Sequence, residues 1–237
     1  ALVPDEIRVA DNASTDASAA LARRAGAQVI SIGRNAGFAV AANIAARETR
    51  SDLLCFLNPD CRITPAARSA AERLLDPQSA ACAVPDFLQH GRLLTGRQPG
   101  YTRWKILADL LENNRYPPRW VAALKRRPDY DDPRWHWPLG SCLFIPRRFF
   151  ERIGGFPETY FLYMEDVELG LRIQAAGGAI LPLGECLAHT GAAGSAVPAA
   201  FRQRWLNRAR IQFARRHYGT AWALLLRLIT LRGAGIA

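Results

Sequence analysis

Short apolar runs alternate with alanine-rich amphipathic stretches along most of the chain. Ile7 to Ala10 predicts a strand, and Asp16 predicts the cap of a helix over 17–25 that Gly26 stops. Val29 to Ile32 predicts a second strand. Asn35-Ala36-Gly37-Phe38 then turns into a helix reaching about Arg50. Leu53-Leu54-Cys55-Phe56-Leu57 is an unbroken apolar run bounded by polar residues, the pattern of a strand covered on both faces. It ends at Asn58-Pro59-Asp60, and a helix from Pro65 to Leu75 follows with proline in its first turn. From Pro85 to Pro138 the periodicity fades among prolines and the tryptophans Trp104, Trp120 and Trp135, which predicts helices and long loops lying over the sheet. Pattern returns with the strand Leu143-Phe144-Ile145 and a helix from Arg147 to Ile153 closed by Gly154-Gly155. A helix opened by Glu165-Asp166 and stopped by Gly177-Gly178 comes next, then a strand from Ala179 to Leu183. Strands alternating with helices predict an α/β fold with a mostly parallel sheet.

The last stretch has a different character. Arg202, Arg204, Arg208, Arg210, Arg215 and Arg216 interleave with Phe201, Trp205, Ile211 and Phe213, and Ala221 to Leu231 is apolar except for Arg227. Such a segment is too short to cross a bilayer but suits a helix lying in the interface of an anionic membrane. A solvated basic face and a nucleic-acid stripe are the alternatives, and charge alone does not choose among them.

Composition narrows the classes. The 237 residues carry 31 Lys+Arg against 21 Asp+Glu, net +10, with 49% hydrophobic residues, enough for one large or two small folded domains and incompatible with a disordered chain. Five cysteines, an odd number with no CxxC pair, argue against a disulfide scaffold and a zinc site, so reduced cytoplasmic thiols are expected. No Gly-x-Gly-x-x-Gly turn marks a dinucleotide fold, and no histidine cluster marks a metallohydrolase. The only methionine is Met164, and the start at Ala1 carries no signal-peptide pattern.

In an open α/β sheet, ligands bind outside the carboxyl ends of the strands. Three acidic sequences sit at predicted strand ends or helix starts: Asp11, Asp60 and Glu165-Asp166. Singly they are ordinary caps, turns and helix-dipole partners. Together, at one edge of one sheet, they have the makings of a site for a charged ligand.

Val9-Ala10-Asp11-Asn12-Ala13-Ser14-Thr15-Asp16, Asn35-Ala36-Gly37-Phe38 with Asn43, and Phe56-Leu57-Asn58-Pro59-Asp60 resemble successive signatures of family 2 glycosyltransferases. Trp137 to Cys142, Gly154-Gly155-Phe156, Tyr163 to Leu169, and His189 with Gly194-Ser195 extend the resemblance over Ile7 to Tyr218. It is nearest to the rhamnosyltransferase-like branch that builds bacterial surface polysaccharides. The resemblance implies a GT-A fold: a nucleotide-binding catalytic domain over 1–200 and a basic amphipathic helical tail over 201–237.

It also implies roles. Asp11 would accept hydrogen bonds from the base or ribose of the donor nucleotide, Asn12 and Ser14 would shape that loop, and Asn35 and Gly37 would line the same pocket. Asp60 resembles the last acid of the family's metal motif, whose first position is here Asn58, so one carboxylate remains to hold Mg2+ or Mn2+. Asp166 resembles the catalytic base, kept ionised by its place at a helix N-terminus. Glu165 would orient the acceptor or a loop, His189 would lie near the metal or diphosphate, and Trp137 and Gly140 would wall the donor sugar and acceptor. The family's opening strand and helix have no counterpart before Asp11. The expectation is therefore a truncated product or misplaced start, in which the Asp11 and Asp60 strands each lack a neighbour.

The activity implied is inverting, metal-dependent transfer of a sugar from a dTDP- or UDP-sugar to a glycan or lipid-linked acceptor, peripherally on the inner face of the cell membrane and without nucleic acid. The alternative is a catalytically inactive nucleotide- and membrane-binding remnant.

Overall fold

The computed structural model describes residues 4–89, 91–112, 118–189 and 198–234. The elements, in order, are β1 (Arg8–Asp11), α1 (Ser18–Arg24), β2 (Gln28–Ser31), α2 (Phe38–Glu48), β3 (Leu53–Leu57), β4 (Cys61–Arg62), α3 (Pro65–Leu74), β5 (Ala81–Gln89), β6 (Arg92–Leu94) and β7 (Arg97–Tyr101). Then come α4 (Arg103–Glu112), α5 (Val121–Leu124), β8 (Asp131–Pro138), β9 (Cys142–Pro146), α6 (Arg147–Arg152), α7 (Glu165–Ala175), β10 (Ala179–His189), α8 (Ala199–Tyr218) and α9 (Thr220–Ala234). They form two compact units, residues 1–98 with 137–196 and residues 99–136 with 197–237.

The first unit carries a six-stranded sheet in the order β3-β9-β5-β10-β4, with β6 paired to β5. The sheet is mixed. β5 and β10 run parallel, whereas β9 is antiparallel to both β3 and β5. All five residues of β9 are buried, so this Cys-Leu-Phe-Ile-Pro run is the spine of the core. One face of the sheet packs Leu54, Leu143 and Ile145 against Ala39, Ala42 and Ala46 of α2, Phe149 and Phe150 of α6, and Leu169 and Ile173 of α7. Alanine on the inner face of α2 lets that helix lie close to the strands, and each buried Leu, Ile or Phe contributes about 1.5–3 kcal/mol.

β1 and β2 form a separate parallel pair, Arg8 to Asp11 against Gln28 to Ser31. Among the described residues, β3 pairs with β9 alone and β1 with β2 alone, so each has one open edge. The expectation that β3 is covered on both faces is corrected: Leu54 is buried, but Cys55 is exposed and Leu57 keeps 43% of its surface. An apolar run of five residues does not distinguish a strand packed on one side from one packed on two.

In the second unit, Arg210 of α8 donates to Asp109 of α4 (2.7 Å) and to the Tyr101 hydroxyl (2.8 Å), which itself donates to Asp109. The Tyr218 hydroxyl donates to the Tyr101 carbonyl at 2.7 Å, and Trp222 of α9 meets Trp104 edge-on with centroids 5.7 Å apart. These contacts explain why residues 99–136, which the sequence does not set apart from the preceding strands, cluster with α8 and α9.

Candidate active site

The chain enters α7 through Tyr163 and Met164, both left-handed at φ 69° although neither is glycine. Such backbone costs about 1–2 kcal/mol per residue and persists where packing over-determines it. Here it aims the first residues of α7, Glu165 and Asp166, toward the turn before β9. Asp166 Oδ2 accepts from the Gly140 N–H at 3.1 Å, and Oδ1 accepts from the Val167 N–H at 2.8 Å. Two opposing influences act on the Asp166 carboxyl at this helix N-terminus. Burial pushes its carboxyl above the ordinary range, and the N–H donors of Gly140 and Val167 offset only part of that.

Glu165 is pushed up further, first by burial and then by the neighbouring Asp166 charge, and its Oε2 is buried without a hydrogen-bond partner among the described residues. Two adjacent acids in such surroundings titrate as a pair. Asp166 holds the two N–H donors, so it ionises first, while Glu165 retains its proton to higher pH.

The carboxyl end of β3 reaches the same place. Asn58 N–H donates to the Ser141 carbonyl at 2.9 Å, one residue beyond Gly140, and the Asn58 carbonyl accepts from Cys61 N–H at 3.0 Å. The Asn58-Pro59-Asp60 turn is therefore tied to the Gly140-Ser141 turn that holds Asp166. Asp60 is half-buried, with the Cys61 thiol 3.8 Å from its Oδ1. Burial, and then the Asp60 charge, push that thiol to about 12, so Cys61 stays a neutral neighbour. Cys61 pairs in register with His189 at the end of β10. The His189 side chain, Gly194 and Ser195 lie outside the described residues.

The β1 loop connects to this frame through backbone. Asp11 Oδ1 accepts from Ser14 N–H at 3.1 Å, across Ala13 at φ 63°. Asn12 donates to the Gly37 carbonyl and accepts from Ala36 N–H, each at 3.1 Å, while the exposed Asn35 accepts from Gly37 N–H at 3.2 Å. Gly37 is left-handed at φ 88°, and a Cβ there would stand 2.3 Å from the Phe161 carbonyl oxygen. That same oxygen accepts from Phe38 N–H at 3.1 Å. The loop holding Asp11 and Asn12 is thus laced through Gly37 to Phe161, five residues before Asp166.

The structure therefore brings Asp60, Gly140, Glu165 and Asp166 to one edge of the sheet and links Asn12, Asn35 and Gly37 to the same loop system. Gly140 holds Asp166 directly: a Cβ there would lie 3.2 Å from Asp166 Oδ2. Trp137 is half-buried at the end of β8. A cavity of about 450 Å3 lies elsewhere, lined by Asn43, Arg47, Arg147, Glu151, Glu158 and Arg172 among others, and neither Asp60 nor Asp166 borders it. Sequence reasoning gave no role to two residues of the frame. Phe161 acts through its main chain, which side-chain identity does not reveal. Asn43 is buried in α2 and clamps Phe156 through both its carbonyl and its N–H, each at 2.9 Å. A lone asparagine on the buried face of an alanine-rich helix was the available signal.

Among the described residues, no three His, Cys, Asp or Glu side chains form a cage for a metal ion. Asp60 is the carboxylate the β3 end offers. A hard divalent cation held by one carboxylate and completed by substrate phosphates and water fits that donor set.

The profile of glycosyl transferase family 2 matches residues 3–156. N-acetylglucosaminyl-diphospho-decaprenol L-rhamnosyltransferase of Mycobacterium tuberculosis is 31% identical over 258 residues, covering 98% of this chain and 81% of the relative. Among solved structures, GalNAc-T7 with UDP, GalNAc and Mn2+ aligns at TM-score 0.57 and 17% identity over 82% of this chain. A mannosyltransferase from Pyrobaculum calidifontis with GDP-Man and Mn2+ aligns at TM-score 0.51 and 19% identity over 97%. This chain spans 39% and 64% of the lengths of those two proteins. These likenesses carry the fold, a GT-A sheet flanked by helices.

Proposed function

The chain belongs to glycosyl transferase family 2, and from that premise we propose that it is an inverting, metal-assisted transferase of nucleotide-activated sugars. The donor is a dTDP- or UDP-sugar, with rhamnose first among the sugars, and the acceptor is a polyprenyl-linked or other glycan intermediate of surface polysaccharide synthesis. The resemblance to an L-rhamnosyltransferase named for a diphospho-decaprenol acceptor supports that choice. The chain works on the inner face of the membrane that carries its acceptor.

The observation that carries this reading is the placement of Asp166 by the Gly140 N–H, beside the turn that ends in Asp60. Asp166 accepts the proton of the acceptor hydroxyl as that oxygen attacks the anomeric carbon. The bond from that carbon to the diphosphate breaks on the opposite side, and the nucleoside diphosphate leaves. Asp60 would hold the divalent cation, and His189 would lie near it or the diphosphate. When bound, the cation neutralises the charge growing on the leaving diphosphate. Asp11 receives the base or ribose, Asn12, Ser14, Asn35 and Gly37 shape that pocket, and Trp137 walls the sugar. Glu165, whose carboxyl burial and the Asp166 charge push above the ordinary range, orients the acceptor.

The test is transfer from dTDP-rhamnose, UDP-rhamnose and other nucleotide sugars to a polyprenyl-diphospho-N-acetylglucosamine acceptor, with and without EDTA. The expected result is an EDTA-sensitive product whose anomeric configuration, read by NMR, is opposite to that of the donor. Retention of configuration, or full activity in EDTA, contradicts the reading. A second reading, an inactive nucleotide-binding remnant, draws on the open edges of β1 and β3. Nucleotide binding without turnover of any donor distinguishes it.

A further inference from the structure

α9 is apolar on two sides, and only one is used inside its own unit. Ala223 and Leu226 are buried, and Trp222 packs edge-on against Trp104. On the opposite side Leu224, Leu225 and Leu228 keep 55%, 43% and 59% of their surface. Their spacing, i, i+1 and i+4, puts them on one stripe of the helix, with exposed Ala221 on the same stripe and exposed Arg227 at its border. A contiguous outward leucine ridge on a helix whose inner face is already packed marks an interaction surface.

The charge along the α8–α9 stretch of sequence is of one sign. After Glu185 the sequence holds eight arginines and no acidic residue, which is most of the net +10 of the whole chain. Arg204, Arg208, Arg215 and Arg216 of α8 are exposed, and Arg208 lies over the Trp205 ring at 5.5 Å. Phe201, at the start of α8, is 52% exposed. No helix among the described residues is long and apolar enough to cross a membrane. At 1.5 Å per residue, the 15 residues of α9 span about 22 Å, short of a hydrocarbon core of about 30 Å.

We propose that the Leu224-Leu225-Leu228 ridge of α9 lies in the headgroup region of an anionic membrane, with the exposed Arg204, Arg208, Arg215, Arg216 and Arg227 on its lipid phosphates. Leucine enters the acyl boundary, while arginine carries long-range attraction that is lost in neutral lipid. A nucleic acid would meet three leucines where it needs polar contacts, and a second copy would bring the same positive charge against itself. The proposal deepens the reading of a membrane-borne acceptor. Its test uses neither donor nor acceptor, so it fails separately from that reading.

The experiment is sedimentation of the whole chain with phosphatidylcholine vesicles, pure or containing about one-third phosphatidylglycerol. Binding is expected to the anionic vesicles and to be at least about tenfold weaker to the neutral ones. The double variant Leu224→Glu with Leu228→Glu loses about a hundredfold in partitioning, because two leucine side chains no longer leave water. Arg215→Gln with Arg227→Gln weakens binding to anionic vesicles alone, by roughly fivefold per charge. A Leu224→Ser, Leu228→Ser pair and the melting temperature of each variant separate loss of binding from loss of fold. Equal binding to both vesicle types, or undiminished binding by the folded leucine variants, overturns the proposal. So does a ridge-dependent dimer in light scattering or a salt-sensitive oligonucleotide complex, where vesicle binding is absent.

Discussion

Replacing Glu165 by glutamine removes a carboxyl that burial pushes above the ordinary range and whose Oε2 has no partner among the described residues. Its folded-state affinity for a proton exceeds its unfolded one, so the folded chain binds more protons as pH rises past the ordinary Glu value of about 4.3. Stability from this group is therefore full in acid and declines as pH rises through the raised value. Glu165→Gln is expected to melt about 2–4 °C above the parent at alkaline pH and level with it in acid, read by calorimetry. The acid limb of kcat/KM stays in place in that variant, because Glu165 is uncharged where Asp166 ionises. A Cβ at Gly140 would press within 3.2 Å of Asp166 Oδ2 and 3.3 Å of its Cβ. Gly140→Ala therefore moves the base by a few tenths of an ångström, and kcat is expected to fall about tenfold to a hundredfold while the melting temperature barely changes.

The junctions between elements matter as much as the side chains they present. At Gly37 both a left-handed backbone and the Phe161 carbonyl exclude a side chain. Gly37→Ala is expected to cost roughly 2 kcal/mol or more and to weaken nucleotide binding, as measured by denaturant melts and titration calorimetry. In the second unit, Arg210→Met takes the cation away from Asp109, leaving the half-buried carboxylate with the Tyr101 hydroxyl. A loss of about 3–5 kcal/mol is expected, with hydrogen exchange rising first in α4 and α8.

Elements with strong local signals were legible in the sequence. α2, α3, α6 and α7 fall where their caps, prolines and terminal glycines put them, as does β3 with its apolar run. β5, nine residues opening on Ala81 and containing Pro85, was not, because its neighbours in the sheet come from β9 and β10, far away in sequence. Nor was the direction of β9, since strand–helix alternation speaks for parallel pairs and says nothing of a strand entering the sheet from a turn. Arg210 read as one more basic surface residue until its α4 partner came into view.

At the scale of the whole molecule, two sequence patterns divide the labour. On the proposed reading the acids at strand ends and the head of α7 carry the chemistry, and their positions were legible because each lies in a short motif beside a turn. What the motifs could not give was the state of the acids, since burial is set by side chains distant in sequence. The arginine-rich end carries charge without chemistry, and which leucines it leaves outward depended on the packing of α9. Asp166 is the group proposed to take the acceptor's proton. The most direct test of that role is kcat for Asp166→Asn, measured beside the melting temperature, since asparagine can still accept from the Gly140 N–H. The account predicts a fall of about a hundredfold to ten-thousandfold in a protein that melts no lower than the parent. A folded Asp166→Asn variant turning over within a few-fold of the parent would contradict it.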